Sequence, residues 1–122
     1  GPVVLALPED MLGARAEVPD CGGRVIAAPP DWGGVAGAVL GRLRACRRPL
    51  VIVGGPHWSA AAAQDLARFA ATQGLPVALG FRRQDYLDNR HPNYAGDLNV
   101  GVNPRLAQRL READALLVIG SR

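Results

Sequence analysis

The sequence predicts an α/β fold: a parallel sheet covered by helices on both faces. Three observations carry that expectation, namely short apolar runs of strand length, helical patterns lying between them, and a glycine closing each run. The runs are Leu50-Val51-Ile52-Val53, Pro76-Val77-Ala78-Leu79 and Ala115-Leu116-Leu117-Val118-Ile119. None alternates as a strand with one wet face would, so each suits a sheet buried on both sides. Strands that alternate with helices pair in parallel through right-handed crossovers, which gives a three-layer, Rossmann-like architecture.

Along the chain, Val3 to Leu7 also reads as a buried strand, stopped by Pro8-Glu9-Asp10. Leu12 to Gly23 lacks either periodicity and reads as a linker, with a domain boundary near Gly23 or Arg24. Asp31 then caps a helix whose Val35, Val39, Leu43 and Cys46 share one face, although four glycines oppose it. Arg42, Arg44, Arg47 and Arg48 crowd its end, where cations suit the negative end of the helix dipole. Ser59 caps a second helix carrying Leu66, Phe69 and Ala70, and Gly74 ends it. Gly80 to Asn103 reads as one long connection rich in charge, Asn, Pro and Gly. Asn103-Pro104 opens a third helix by its cap and first-turn proline, with Leu106 and Leu110 one turn apart.

With 48% apolar and 20% charged residues the 122-residue chain can bury a real core and is not disordered. Its 14 cations are all arginine and oppose 11 carboxylates, a net charge of +3. That excess falls short of the dense basic stripe of a nucleic-acid binder. Cys21 and Cys46 form no C-x-x-C pair and have no clustered ligands, so they read as free thiols of a cytoplasmic protein. No apolar run approaches membrane-spanning length, and no signal-peptide pattern opens the chain.

Ligands of open α/β sheets bind outside the carboxyl ends of the strands. Gly54-Gly55, Gly80 and Gly120 mark those ends here, either for tight turns or to let backbone approach a phosphate at a helix N-terminus. The G-x-G-x-x-G fingerprint is absent, and Pro56 removes an N–H from the first turn. Arg82-Arg83 follows the second strand where an NADP 2′-phosphate would sit in a dinucleotide fold, so an NADP-binding domain of a reductase stays open, as does a non-catalytic interaction module. His57 and His91 stand alone in loops, with no partners for a triad. Trp32 and Trp58 read as core residues. One carboxylate in Gly96-Asp97-Leu98-Asn99 makes no metal site.

Four segments together resemble the central domain of thiamine diphosphate-dependent enzymes of the acetolactate synthase-like family. Gly1 to Asp10 is similar to the last strand of the preceding pyrimidine-binding domain. Arg48 to Gly55 resembles the first strand and glycine turn of the central domain. Leu75 to Leu79 with His91-Pro92-Asn93-Tyr94-Ala95-Gly96 resembles the second strand and its "HP…G" loop, and Ala113 to Arg122 the "AD…GxR" strand and turn. The resemblance implies that 1–23 end a preceding domain and its linker, and that 24–122 are a nucleotide-binding-like central domain cut short at its C-terminus. It implies a homo-oligomeric lyase or transferase acting on 2-keto acids, with thiamine diphosphate and Mg²⁺ held by its other domains and FAD or ADP sometimes held by this one. By that likeness the nucleotide contacts would be Gly54, Gly55, Leu79, Gly80, Gly120, Ser121 and Arg122; separately, the place of Arg82 and Arg83 just past the carboxyl end of the second strand suggests that one of them supplies a phosphate contact. The chain departs from the flavin-containing members at Pro56-His57 and at Phe81 to Asp85. No catalytic residue is expected in it, and the domain alone is expected to be inactive.

Overall fold

The computed structural model describes residues 2–20, 22–23, 28 and 31–121. Cys21, Arg24, Pro29, Pro30 and Arg122 lie outside the described residues. The chain divides into two units, Gly1–Pro30 and Asp31–Arg122. In the first, α1 spans Glu9–Gly13 behind Pro8, with both acidic residues in its first turn, where they favour the positive end of the dipole. The strand expected over Val3 to Leu7 does not form: the segment lies outside any sheet, and Val3 and Val4 are 92% and 91% exposed. A strand exists by ladder pairing, and no described residue of this unit offers it a partner.

The second unit contains α2 (Gly33–Ala45), β1 (Pro49–Val53), α3 (Ala60–Gln73), β2 (Val77–Leu79), β3 (Tyr94–Asp97), α4 (Pro104–Glu112) and β4 (Ala115–Ile119). The four strands form one sheet in the order β3-β2-β1-β4, every neighbouring pair parallel. The α/β architecture expected from the sequence is therefore present. β3 is the correction to the long connection between Gly80 and Asn103. Its Tyr-Ala-Gly-Asp has little strand propensity, and its pairing to β2 carries a register shift between Val77 and Ala78. It is an edge strand made by its neighbour.

Caps formed where the residue types ask for them. The Ser59 hydroxyl accepts from the Ala62 N–H at 3.1 Å, Asn103 Oδ1 accepts from the Arg105 N–H at 2.9 Å, and Gly74 closes α3 at φ 64°. Asp31 acts one position earlier than a cap residue would. Its carboxylate accepts from the Gly33 N–H at 2.9 Å while Trp32 takes the cap position, 62% exposed rather than in the core.

Pleating divides the apolar residues between two cores. Val51, Val53, Val77 and Leu79 pack with Leu43 of α2 and with Leu66 and Ala70 of α3. Leu50, Ile52 and Ala78 pack on the other face with Leu106 of α4. Of the face expected on α2, Leu43 is buried and Val39 packs against the core, while Val35 is exposed. β4 stands at the sheet edge with Leu117 and Ile119 toward the first core and Leu116 and Val118 half exposed.

Candidate functional site

β2 and β3 lie to one side of β1 and β4 to the other, so strand order reverses at β1. Open α/β sheets hold ligands at such a reversal, outside the carboxyl ends of the strands. A crevice of about 750 Å³ opens there, lined by Gly54, Gly55, Gly80, Arg83, Ser121 and Phe81 among others. Of the residues singled out in the sequence, Gly54, Gly55, Gly80, Gly120, Ser121 and Arg83 thus come together around one space.

The others stand differently. Leu79 is fully buried at the end of β2, its side chain in the first core and its carbonyl accepting from the Leu98 N–H at 2.7 Å. Arg82 is exposed at φ 59° and stacks its guanidinium over Phe81, 4.9 Å from the ring centroid, rather than lining the crevice. Arg122 lies outside the described residues.

The glycines fit each other before they fit any ligand. A Cβ on Gly55, which sits at φ 75°, would collide with the Gly120 carbonyl oxygen. One on Gly120, at φ 69°, would come within 2.6 Å of the Gly54 carbonyl oxygen. Two chain segments therefore cross at van der Waals distance, and only glycine permits it. The N–H groups of Gly54 and Gly80 are already bonded to the carbonyls of Ile119 and Val53, at 2.9 and 2.7 Å. An anion in the crevice would therefore meet the Arg83 guanidinium and the Ser121 hydroxyl rather than those two amides.

An aromatic clamp holds the glycine turn. Trp58 Nε1 donates to the Gly54 carbonyl at 3.1 Å, and the Tyr86 hydroxyl donates to the Gly55 carbonyl at 2.6 Å. The two rings stack with centroids 5.2 Å apart, and the Arg83 guanidinium lies 5.7 Å from the Tyr86 ring centroid. Each ring thus places its polar edge on a backbone acceptor while its body joins the first core. Tyr86 escaped the sequence reading because it lies in an aperiodic loop. Its only signal there was an aromatic shortly after a strand-ending glycine.

The remaining residues do not line the crevice. His57 is exposed at φ 72°, and His91 Nδ1 accepts from the Asn93 N–H at 3.1 Å, a local bond within the "HP" loop. Gln84 Nε2 donates to Asp97 at 3.2 Å, tying the loop after β2 to the end of β3. Burial, with the nearby Asp97 carboxylate, pushes the Tyr94 phenol above its ordinary range. Cys46 is a free thiol bonded to the Arg42 carbonyl. Among the described residues no three His, Cys, Asp or Glu side chains converge to hold a metal ion, and no helix is long and apolar enough to cross a membrane.

The chain is 27% identical over 126 aligned residues to the sulfoacetaldehyde acetyltransferase of Alcaligenes xylosoxydans xylosoxydans. It is 28% identical over 127 residues to the 3D-(3,5/4)-trihydroxycyclohexane-1,2-dione hydrolases of Bacillus thuringiensis (strain Al Hakam) and Bacillus cereus (strain 03BB102). In each comparison all of this chain is covered but only 20% of the relative, so it spans about a fifth of the length of the curated relatives it matches. No solved structure matches it. Residues 37–122, which include the whole sheet and the glycine crevice, match the family model for the central domain of thiamine pyrophosphate enzymes, and the chain belongs to that family.

Proposed function

We propose that this chain is the central scaffold domain of a larger thiamine diphosphate-dependent enzyme acting on 2-keto acids, and that its switch-point crevice takes the diphosphate of ADP or FAD. The observation supporting the nucleotide site is the reversal of strand order at β1, with four glycines, Arg83 and Ser121 gathered at the strand ends. A diphosphate fits that chemistry. Arg83 supplies a forked cation and Ser121 a hydroxyl, while Gly54, Gly55 and Gly80 present backbone to the crevice. Arg82 needs only to leave the Phe81 ring to join Arg83, and Leu79 contributes backbone rather than side chain. Arg122 is counted among the contacts by the same family likeness alone.

In this reading residues 1–23 close a preceding domain. Thiamine diphosphate and Mg²⁺ belong to other domains of a cytoplasmic homo-oligomer, and the central domain supplies no reacting group. Titration calorimetry with ADP and with FAD tests the nucleotide site. Weak, saturable binding is expected, and its loss in the Arg82→Ala, Arg83→Ala variant should amount to about 1 to 3 kcal/mol. No heat and no thermal shift at millimolar ligand would leave a scaffold alone, and a marked preference for NADPH would favour a reductase domain. Pyruvate consumption with thiamine diphosphate, Mg²⁺ and FAD added should match a heat-treated control. Turnover above that control would overturn the scaffold reading.

A further inference from the structure

A second cleft of about 560 Å³ lies where β1 and β2 begin, at the opposite end of those strands from the glycine crevice. Arg47 and Arg48 reach it from the segment before β1, and Arg105 and Arg109 from α4. The α4 pair is spaced i, i+4, which puts both on one helical face. The approach to β1 is fixed by backbone: Asp114 accepts from the N–H groups of Arg47 and Arg48 at 2.7 and 2.9 Å. Asp114 is thereby committed to amides and does not form an ion pair with either guanidinium.

Glu112 is the carboxylate lining this cleft, and it is occupied twice, by Arg48 at 3.0 Å and by Gln108 at 2.8 Å. Arg47, Arg105 and Arg109 have no carboxylate partner among the described residues. Arg47 and Arg48 also lie beyond the end of α2, where Cys46 has already turned extended, so they do not serve that helix's dipole. Like charges gathered in one concave space repel each other unless an anion joins them. Guanidinium forks match phosphate oxygens two at a time. A cleft of this volume falls in the range of small-molecule sites.

We propose that this cleft binds a small multivalent phosphate, either a free oligophosphate or the phosphate chain of a nucleotide. The site is separate from the strand-end crevice and does not depend on it.

The test is calorimetry on the chain with inorganic tripolyphosphate and, in a second arm, ATP. One saturable site is expected, with affinity falling about ten-fold or more in Arg105→Gln, Arg109→Gln and only partly recovering in Arg105→Lys, Arg109→Lys, which restores charge without the fork. The variant Arg42→Gln, Arg111→Gln removes two arginines outside the cleft and should stay within about two-fold of the wild type. Equal affinity for both ligands identifies the phosphate chain as the whole ligand, and tighter ATP binding identifies a nucleotide. Amide shifts on adding tripolyphosphate should centre on Arg47, Gly74 and Arg105. Shifts centred instead on Gly55 and Gly120, no saturable binding, or an equal loss in the Arg42, Arg111 variant would overturn the proposal.

Discussion

Replacing Gly120 by alanine tests whether the glycines at the strand ends are required by the fold itself. Two costs add at this position. A side-chain-bearing residue held at φ 69° loses about 1 to 2 kcal/mol against the left-handed conformation. Its Cβ would also stand 2.6 Å from the Gly54 carbonyl oxygen, and the strand ends would have to part by several tenths of an ångström. Overpacking of that kind costs about 1 to 3 kcal/mol, so the sum is about 2 to 5 kcal/mol. In a unit of roughly 90 residues each kcal/mol lowers the melting temperature by about 4 °C or more, so a fall of at least about 8 °C is expected. Thermal unfolding followed by circular dichroism measures it. Gly37→Ala is the matched control: it lies inside α2 with nothing within 4 Å of a new Cβ, and should gain about 0.5 to 1 kcal/mol. A loss under about 2 °C in Gly120→Ala would refute the argument that crossing backbones require this glycine.

Tyr86→Phe keeps the ring on Trp58 but removes the hydroxyl bonded to the Gly55 carbonyl, and should cost about 1 kcal/mol. A urea midpoint equal to that of the wild type at unchanged slope would show that the clamp adds nothing. The Asp114 carboxyl is held below its ordinary value of 3.8, first by the Arg47 N–H and then by that of Arg48, against an opposing effect of desolvation. A folded value below the unfolded one means that its stabilisation is complete above the unfolded value and is lost as pH falls through the folded one. Melting temperature should therefore drop below about pH 4 in the wild type, and Asp114→Asn should start lower at neutral pH and fall less steeply. Parallel pH profiles for the two proteins would count against this role.

The sequence alone determined the elements whose cause is local. Apolar runs without alternation marked β1, β2 and β4; for β1 and β2 the reason is burial on both faces, whereas β4, apolar throughout, stands at the edge with Leu116 and Val118 half exposed. Ser59, Asn103 and Gly74 marked helix ends, because a cap acts within three residues of itself. The order of the apolar and glycine segments also carried the family likeness, which residues 37–122 bear out. Tertiary structure decided what depends on distant partners. β3 exists because β2 pairs it, whereas Val3 to Leu7, far more apolar, forms no strand and has no ladder partner among the described residues of its own unit. Strand order set which loops share a crevice and so joined Arg83 to it while leaving Arg82 on Phe81. It also brought Arg105 and Arg109 to Arg47 and Arg48 from 57 and more positions away in the chain as numbered, a convergence of charge that no local pattern encodes.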